Sequence, residues 1–154
     1  MIVVSSDAAF NTRDSVTYWS CSTVIHGVET FYSGVKYSLT NSGEAELHAF
    51  YDIVRKLCET TTDHIVVSTD SQCVVTQFKH LRKKHNKGHE VEYGKIKRHM
   101  WRWVKKISNL AKLPQVTIRH ASRMSPEIQK HHEIVHAMAQ QRYAGLYMPK
   151  VPEN

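Results

Sequence analysis

The sequence predicts a single domain of the mixed α/β (α+β) class, with helices flanking a five-stranded mixed sheet. Three β-type segments separated by short turns come first, and helical and β-type segments alternate after them. Hairpins followed by crossover connections produce a sheet that contains both strand orientations. The 154 residues suffice for one domain with a sizeable core. No repeat or Pro/Gly-rich linker divides the chain, so we assign residues 1–145 to the domain and residues 146–154 to a C-terminal tail.

The first three predicted strands are rich in β-branched and aromatic residues. Ile2–Ser6 is a short apolar run typical of a buried strand. Val16–Ile25 and Glu29–Tyr37 are rich in Thr, Tyr, Trp, Val and Phe, and Gly27 lies between them. Glycine adopts the positive φ angles that tight turns require, so these two segments are predicted to form a hairpin.

Two helices are predicted on either side of the fourth strand. Ser42 is the candidate N-cap of the first helix, whose apolar residues recur at three- and four-residue spacing: Leu47, Phe50, Tyr51, Val54 and Leu57. The β-branched run at His64–Thr69 predicts the strand. Ser71 is suited to cap the second helix, whose apolar residues are Val74, Val75, Phe78 and Leu81.

The last three elements follow the loop Asn86–Gly88. A third helix is predicted to bury one face that contains Ile96, Met100, Trp103, Val104 and Ile107. Trp101 and Trp103 are two residues apart, so only one of them is expected in the core. Val116–His120 predicts the fifth strand, and Pro126 opens the fourth helix because proline is favoured at a first helical position.

Composition argues against a membrane protein and against a disulfide-stabilised one. No segment approaches the roughly 18 apolar residues needed to span a bilayer, and no signal-peptide pattern precedes Asp7. Cys21, Cys58 and Cys73 are widely spaced and form no CxxC pair, which indicates free thiols in a reducing compartment. We therefore expect a cytoplasmic protein that does not associate with membranes, and we expect a monomer.

Charge is distributed unevenly along the chain. Residues 1–78 contain four Lys/Arg and nine Asp/Glu, whereas residues 79–112 contain twelve Lys/Arg and two Asp/Glu. The whole chain has a net charge of +7. An acidic half joined to a strongly basic segment indicates carboxylates that act beside a bound polyanion, and we expect that polyanion to be a nucleic acid.

Three carboxylates stand out by their positions. Asp7 follows the first predicted strand, Glu46 lies in the first turns of the first helix, and Asp70 follows the fourth strand. A single acid at such a position is more often a cap or turn residue. Three acids on neighbouring elements repel one another unless cations neutralise them. Carboxylate oxygens are suitable ligands for Mg²⁺, and paired metal ions catalyse phosphodiester hydrolysis.

The segments around these acids are Ser-Ser-Asp7-Ala-Ala, Asn-Ser-Gly-Glu-Ala-Glu46-Leu and Val-Val-Ser-Thr-Asp70-Ser-Gln. They resemble the three acidic motifs of type 1 ribonucleases H, and the order of the predicted elements is similar over residues 1–145. The resemblance implies a ribonuclease H-like fold and endonucleolytic hydrolysis of the RNA strand of RNA–DNA hybrids, leaving 5′-phosphate ends. It also implies that Asp7, Glu46 and Asp70 hold two Mg²⁺ or Mn²⁺ ions.

The same resemblance implies roles for further residues. His120 corresponds to a histidine that the family carries in a mobile loop and uses in proton movement or product release. The basic segment Lys79–Lys112 corresponds to a substrate-binding protrusion, while polar groups near the helix starts are suited to contacts with sugars and phosphates. The candidate nucleic-acid-binding residues are Asn11, Asn41, Ser42, Ser71, Arg82, Lys83, Lys84, Lys87, Lys95, Lys97 and Arg98.

One position departs from the family pattern. Family members usually have a fourth carboxylate in the last helix, where this sequence places His136. We expect His136 to replace that carboxylate as a catalytic metal ligand. Because an imidazole suits Mn²⁺ better than Mg²⁺, the replacement should shift the metal preference towards Mn²⁺.

His136 also ends an HExxH sequence that begins at His132, a spacing typical of zinc proteases. Position 139, where one group of these proteases carries glycine, is Ala139, and we interpret the motif as a coincidence in a histidine-rich helix.

Two functions besides hybrid cleavage are compatible with the sequence. The first is that of a different nuclease on the same fold, such as a resolvase or integrase-like enzyme, because a fold does not fix its substrate. The second is that of a hybrid- or duplex-binding module whose catalysis is weakened by the change at His136. Because all three acidic motifs are intact, we expect the ribonuclease.

Overall fold

A five-stranded mixed sheet lies at the centre of the computed structural model, which describes residues 1–143. The strands have the spatial order β3-β2-β1-β4-β5; β1 to β3 are antiparallel, and β4 and β5 run parallel to β1. The predicted sheet class is confirmed. The proposed domain end at residue 145 and the tail at 146–154 lie outside the described residues. The strands are β1 (Ile2–Asn11), β2 (Val16–Ile25), β3 (Val28–Tyr37), β4 (Ile65–Thr69) and β5 (Val116–His120).

Helices cover both faces of this sheet. The helices are α1 (Ser42–Thr60), α2 (Gln72–Asn86), α3 (Trp101–Ala111) and α4 (Pro126–Tyr143). The first three pack on one face around a core that includes Val4, Phe50 and Ile107. The fourth packs against β1 and β2, where the hydroxyl of Ser20 donates a hydrogen bond to the carbonyl of Val135. The order of strands and helices agrees with the prediction.

The first strand is longer than predicted. Its pairing with β2 continues from Val3 to Asn11, so Asp7 lies inside β1 instead of after it. The serines and alanines beyond Val4 remain in the strand because every one of them is paired with β2. In the next hairpin, His26 and Gly27 have φ angles of 50° and 77°, which confirms the predicted turn between β2 and β3.

The start of the first helix also differs from the prediction. Its N-cap is Asn41, whose side-chain oxygen accepts a hydrogen bond of 2.8 Å from the backbone N–H of Glu44. Ser42, the predicted cap, is instead the first helical residue. The predicted cap of α2 is confirmed, since Ser71 accepts a hydrogen bond from the N–H of Val74.

The third helix begins later than predicted. The residues before it form two short 3₁₀ turns at Tyr93–Lys95 and Arg98–Met100. The indole N–H of Trp101 donates to the carbonyls of Tyr93 and Ile96, at 3.0 Å each, and so links the first turn to the start of α3. Trp103 is 2% exposed and Trp101 is 39% exposed, which confirms that only one of the two tryptophans lies in the core.

The cysteines and the lengths of the helices are described for residues 1–143. All three cysteines are free thiols. Within residues 1–143, no helix is both long enough and apolar enough to cross a membrane.

Candidate active site

Four elements bring the predicted site residues to one edge of the sheet. Asp7 lies within β1, and Asp70 directly follows β4, which pairs in parallel with β1 up to Ser68. Glu46 comes from the N-terminal part of α1, and His136 lies well inside α4. The parallel pairing explains the approach of the two aspartates, because residues two positions beyond paired neighbours lie on the same side of adjacent strands.

His136 is in direct contact with the first of these acids. Its Nδ1 atom lies 2.6 Å from Oδ2 of Asp7, so the imidazole and the carboxyl group are joined by a short hydrogen bond. Ligand atoms of Asp7, Asp70 and His136 all lie within 4.8 Å of one another. Asp7 is 2% exposed, whereas the side chain of His136 is 52% exposed and borders solvent. The structure therefore brings together three of the four predicted metal ligands in a compact group.

Burial and mutual repulsion make ionisation of Asp7 and Glu46 unfavourable in the absence of cations. Burial raises the pKa of Glu46 to about 9, with further increases from the charges of Asp7 and Asp70. Burial and the charge of Asp70 also raise the pKa of Asp7, against the opposing effect of His136. Negative groups that are costly to ionise at neutral pH are typical of sites that function with a bound cation.

The polar atoms of the site fit a divalent cation. Oε2 of Glu46 is buried and has no hydrogen-bond partner within the described part of the chain. An unsatisfied buried oxygen costs free energy unless another group binds it. Carboxylate oxygens from Asp7, Glu46 and Asp70 are suitable ligands for Mg²⁺ or Mn²⁺, and the imidazole of His136 suits Mn²⁺.

A second histidine at the site was missed by sequence reasoning. His132 is 9% exposed, and its Nε2 atom lies 3.9 Å from Oδ2 of Asp70. The interaction with His132 is the largest cause that holds the pKa of Asp70 below its ordinary value. The signal was present in the HExxH spacing, because residues four apart share one helix face.

His120 lies at the end of β5, beside Asp70. Its Nε2 atom is 3.2 Å from the backbone oxygen of Asp70, and its Nδ1 atom is 2.8 Å from the hydroxyl of Ser122. A 3₁₀ turn follows immediately at Ala121–Arg123. The structure thus places this predicted residue next to the carboxylates but in contact with a carbonyl, not with a carboxylate oxygen.

A cavity of about 540 Å³ adjoins Glu46 and Asp70. It lies between the N-terminal ends of α1 and α2, where backbone N–H groups and the helix dipoles favour anions. Three of the predicted nucleic-acid-binding residues, Asn41, Ser42 and Ser71, line it. Its remaining lining residues are Thr40, Gly43, Cys73, His99, Met100 and Trp103.

The loop before α1 is held against α3 by a buried carboxylate. Glu44 is 2% exposed; it forms an ion pair with Arg102 and accepts a 2.8 Å hydrogen bond from the hydroxyl of Thr40. Arg102 also lies within 3.4 Å of the carbonyl of Ser38. This network fixes the backbone on one side of the cavity.

The predicted basic residues fall into two groups. Lys83, Lys87, Lys97 and Arg98 are exposed, which leaves their charges accessible to a polyanion. Lys84 is half-buried, and Lys95 forms an ion pair of 2.8 Å with Glu92.

Asn11, a predicted nucleic-acid-binding residue without charge, lies at the end of β1. Its side-chain oxygen accepts a 2.9 Å hydrogen bond from the N–H of Arg13 and stabilises the turn.

Arg82 differs from the rest of the basic candidates. Its Nη2 atom donates to the carbonyls of Leu113 and Val116 at 2.9 and 2.7 Å, and its guanidinium lies 4.7 Å from the ring centre of Phe78. These contacts join α2 to the start of β5 and to the segment before it. Arg82 therefore has a structural position, and the phosphate contact stays a prediction that its replacement can test.

Replacing Arg82 by alanine is expected to lower the free energy of unfolding by about 1–3 kcal/mol, because it removes two hydrogen bonds and the packing on Phe78. Urea denaturation measures this change. We expect the salt dependence of nucleic-acid binding to remain that of the unmodified protein. A fall in the salt slope without a loss of stability contradicts the structural role.

No protein-family model and no curated protein matches this sequence, whereas solved structures match the fold over nearly the whole chain. A structure of the foamy viral protease-reverse transcriptase in complex with dsDNA is 19% identical, with a TM-score of 0.63 over 91% of this chain and 90% of that one. RNase H1 from the halophilic archaeon Halobacterium salinarum is 17% identical, with a TM-score of 0.61 over 94% of this chain and 98% of that one. LC11-RNase H1 is 15% identical, with a TM-score of 0.52 over 93% and 99%.

At sequence identities of 15–19%, the similarity to these structures establishes the fold alone. The similarity extends over 93–94% of this chain and 98–99% of the two RNase H1 chains. The chain therefore has the ribonuclease H-like fold of type 1 ribonucleases H.

Proposed function

We propose that the protein is a divalent-metal-dependent endonuclease that hydrolyses the RNA strand of RNA–DNA hybrids. The observation that carries the proposal is the cluster of Asp7, Asp70 and His136, with ligand atoms within 4.8 Å of one another in this fold. Glu46 borders the cluster, and its pKa is raised partly by the charges of both aspartates. A buried, mutually repelling carboxylate group beside an anion-binding cavity suits metal-assisted phosphodiester hydrolysis.

Asp7, Glu46, Asp70 and His136 are the residues that would hold two divalent ions. When bound, such ions activate a water nucleophile and neutralise the charge that develops on the phosphate. The hydrogen bond between His136 and Asp7 orients that carboxylate, and His132 lowers the pKa of Asp70. His120, with Nε2 next to the backbone of Asp70, is positioned to move protons at the edge of the site.

The surfaces around the site are suited to a nucleic-acid duplex. The cavity between the starts of α1 and α2 offers hydroxyl, amide and backbone N–H groups for sugar and phosphate contacts. The exposed cations of the basic segment add phosphate contacts that carry no sequence information. RNA–DNA hybrid is the ligand in solved structures of the foamy viral protease-reverse transcriptase and of LC11-RNase H1, and we infer the same ligand class here.

Cleavage of a hybrid with a labelled RNA strand tests the proposal. In Mg²⁺ or Mn²⁺ we expect internal cuts that leave 5′-phosphate and 3′-hydroxyl ends, and we expect none with Asp70→Asn. Labelled RNA duplex and DNA duplex serve as comparison substrates. Products with 3′-phosphates, or full activity in EDTA, contradict the metal-dependent mechanism. Tight binding without cleavage in either metal identifies a hybrid-binding module, and cleavage of branched DNA alone identifies a resolvase-like enzyme.

Replacing His136 by aspartate is expected to shift the metal preference towards Mg²⁺. An imidazole offers one nitrogen that suits Mn²⁺, whereas a carboxylate offers oxygens that suit Mg²⁺. The ratio of cleavage rates in Mg²⁺ and in Mn²⁺ should rise by about tenfold in the variant, as expected for one changed ligand. His80→Asp, an exposed substitution on α2, is the control and should leave the ratio unchanged. An equal ratio in His136→Asp and the unmodified protein argues against His136 as a ligand.

A further inference from the structure

The two histidines of the HExxH sequence both face carboxylates of the site. His132 and His136 are one helical turn apart on α4, so they share a helix face. Nε2 of His132 lies 3.9 Å from Asp70, and Nδ1 of His136 lies 2.6 Å from Asp7. Each aspartate is therefore accompanied by its own imidazole.

His132 is nearly buried, and its two ring nitrogens have different surroundings. It is 9% exposed, and its Nδ1 atom has no hydrogen-bond partner within residues 1–143. A buried polar atom without a partner costs stability. The other ring nitrogen, Nε2, is the one that lies towards the site, 3.9 Å from Oδ2 of Asp70. It lies outside the 4.8 Å group of Asp7, Asp70 and His136, so His132 would join that group by a rotation of its side chain.

Two imidazoles and two carboxylates form a different set of donors from three or four carboxylates. Zn²⁺ is commonly bound by four ligands that combine histidine nitrogens with carboxylate oxygens. Mg²⁺ prefers oxygen ligands, and Zn²⁺ binds nitrogen-containing sites more tightly than Mn²⁺ does. The second imidazole therefore favours one borderline transition-metal ion over two hard ions.

We propose that His132 and His136, together with Asp7 and Asp70, bind a single Zn²⁺ ion, and that Zn²⁺ bound there inhibits hydrolysis. The binding of Zn²⁺ stands on the donor set alone, whereas the inhibition rests on the proposed function. Inhibition follows because the ion occupies the two aspartates and leaves Glu46 outside its ligand set. The proposal does not extend to peptide hydrolysis, because Glu133, the acid of the HExxH sequence, is next to His132 in the chain and does not share the helix face of His132 and His136.

Metal binding is measured on metal-stripped protein without nucleic acid. Co²⁺ serves as the spectroscopic probe, since bound tetrahedral Co²⁺ has strong visible absorption, and Zn²⁺ should displace it at one ion per chain. Titration calorimetry then gives the Zn²⁺ affinity. His132→Gln and His136→Gln should each weaken Zn²⁺ binding by at least about tenfold. His80→Gln, at an exposed position on α2, should bind Zn²⁺ like the unmodified protein.

The outcomes separate this inference from the proposed function. Zn²⁺ affinities that are equal in both histidine variants and the unmodified protein overturn the inference, whatever the nuclease assay gives. If His132→Gln does not fold in EDTA, the Zn²⁺ affinity of His136→Gln tests the inference by itself, because the side chain of His136 is half-exposed and its replacement should not prevent folding. Histidine-dependent Zn²⁺ binding without any hybrid cleavage supports the site and rejects the nuclease. Hybrid cleavage in Mg²⁺ that micromolar Zn²⁺ leaves unchanged supports the nuclease and rejects the inhibition.

Discussion

Replacing Glu46 by glutamine is expected to have opposite effects on activity and on stability. Cleavage of the hybrid should slow by about two to three orders of magnitude, because the site loses an ionisable ligand oxygen and a negative charge. In EDTA at pH 8, however, the melting temperature should rise by about 2–4 °C for each kcal/mol of relieved repulsion. Initial cleavage rates and thermal denaturation of the same preparation measure both effects.

The stability gain is expected to depend on pH with a definite sign. The pKa of Glu46 is raised to about 9, from 4.5 in an unfolded chain. Between these values the unfolded chain releases its proton while the folded chain retains it, so rising pH destabilises the folded protein. Glutamine does not titrate, and the advantage of Glu46→Gln should therefore be small near pH 5 and increase up to about pH 9. A gain that decreases with rising pH contradicts the raised pKa.

Glu44 provides a matched control on the same helix. Both residues are glutamates in the N-terminal part of α1, but Glu44 is paired with Arg102 and Thr40, whereas Oε2 of Glu46 has no partner in the described residues. Glu44→Gln removes a favourable ion pair and should lower the melting temperature in EDTA. Added Mg²⁺ should stabilise the unmodified protein and Glu44→Gln, and should have much less effect on Glu46→Gln. Equal responses of all three proteins argue against metal binding by Glu46.

The fold and the acidic part of the site could be predicted because their signals are local. The β-branched composition of β4 and the apolar spacing of α1 follow from short windows of sequence. Asp7, Glu46 and Asp70 stand within motifs whose order along the chain agrees with the order of the elements. The first and last residues of the elements were harder to predict from the sequence. The length of β1, for example, depends on its pairing with β2 and not on its own apolar run.

The position of His132 on α4 could not be predicted because it depends on how the helix docks. The sheet face beneath α4 carries small buried serines, including Ser5, Ser20 and Ser68, which allow the helix backbone to approach closely. This close approach brings His132 towards Asp70. The helix itself has few buried apolar residues, so its sequence gives little indication of which face meets the sheet. The fixed position of Arg82 is likewise a tertiary property, since its partners lie 31 and 34 residues away.

Removing two exposed cations from the basic segment is expected to weaken hybrid binding in a salt-dependent manner. In Lys87→Ala/Lys97→Ala, each lost phosphate contact should reduce the slope of log affinity against log salt by about 1. At low salt the dissociation constant should rise by about 10–100-fold, and the difference should shrink as salt increases. Fluorescence anisotropy with a labelled hybrid in EDTA measures binding without cleavage.

The matched control for this variant removes the same charge from elsewhere on the surface. Lys56 on α1 and Lys130 on α4 are exposed and lie outside residues 79–112. Lys56→Ala/Lys130→Ala lowers the net charge by the same amount, so long-range attraction falls equally in the two variants. If phosphate contacts are local to the basic segment, only Lys87→Ala/Lys97→Ala should change the slope by about 2. Equal slopes in the two variants indicate that net charge alone attracts the duplex, and the basic segment then has no specific part in binding.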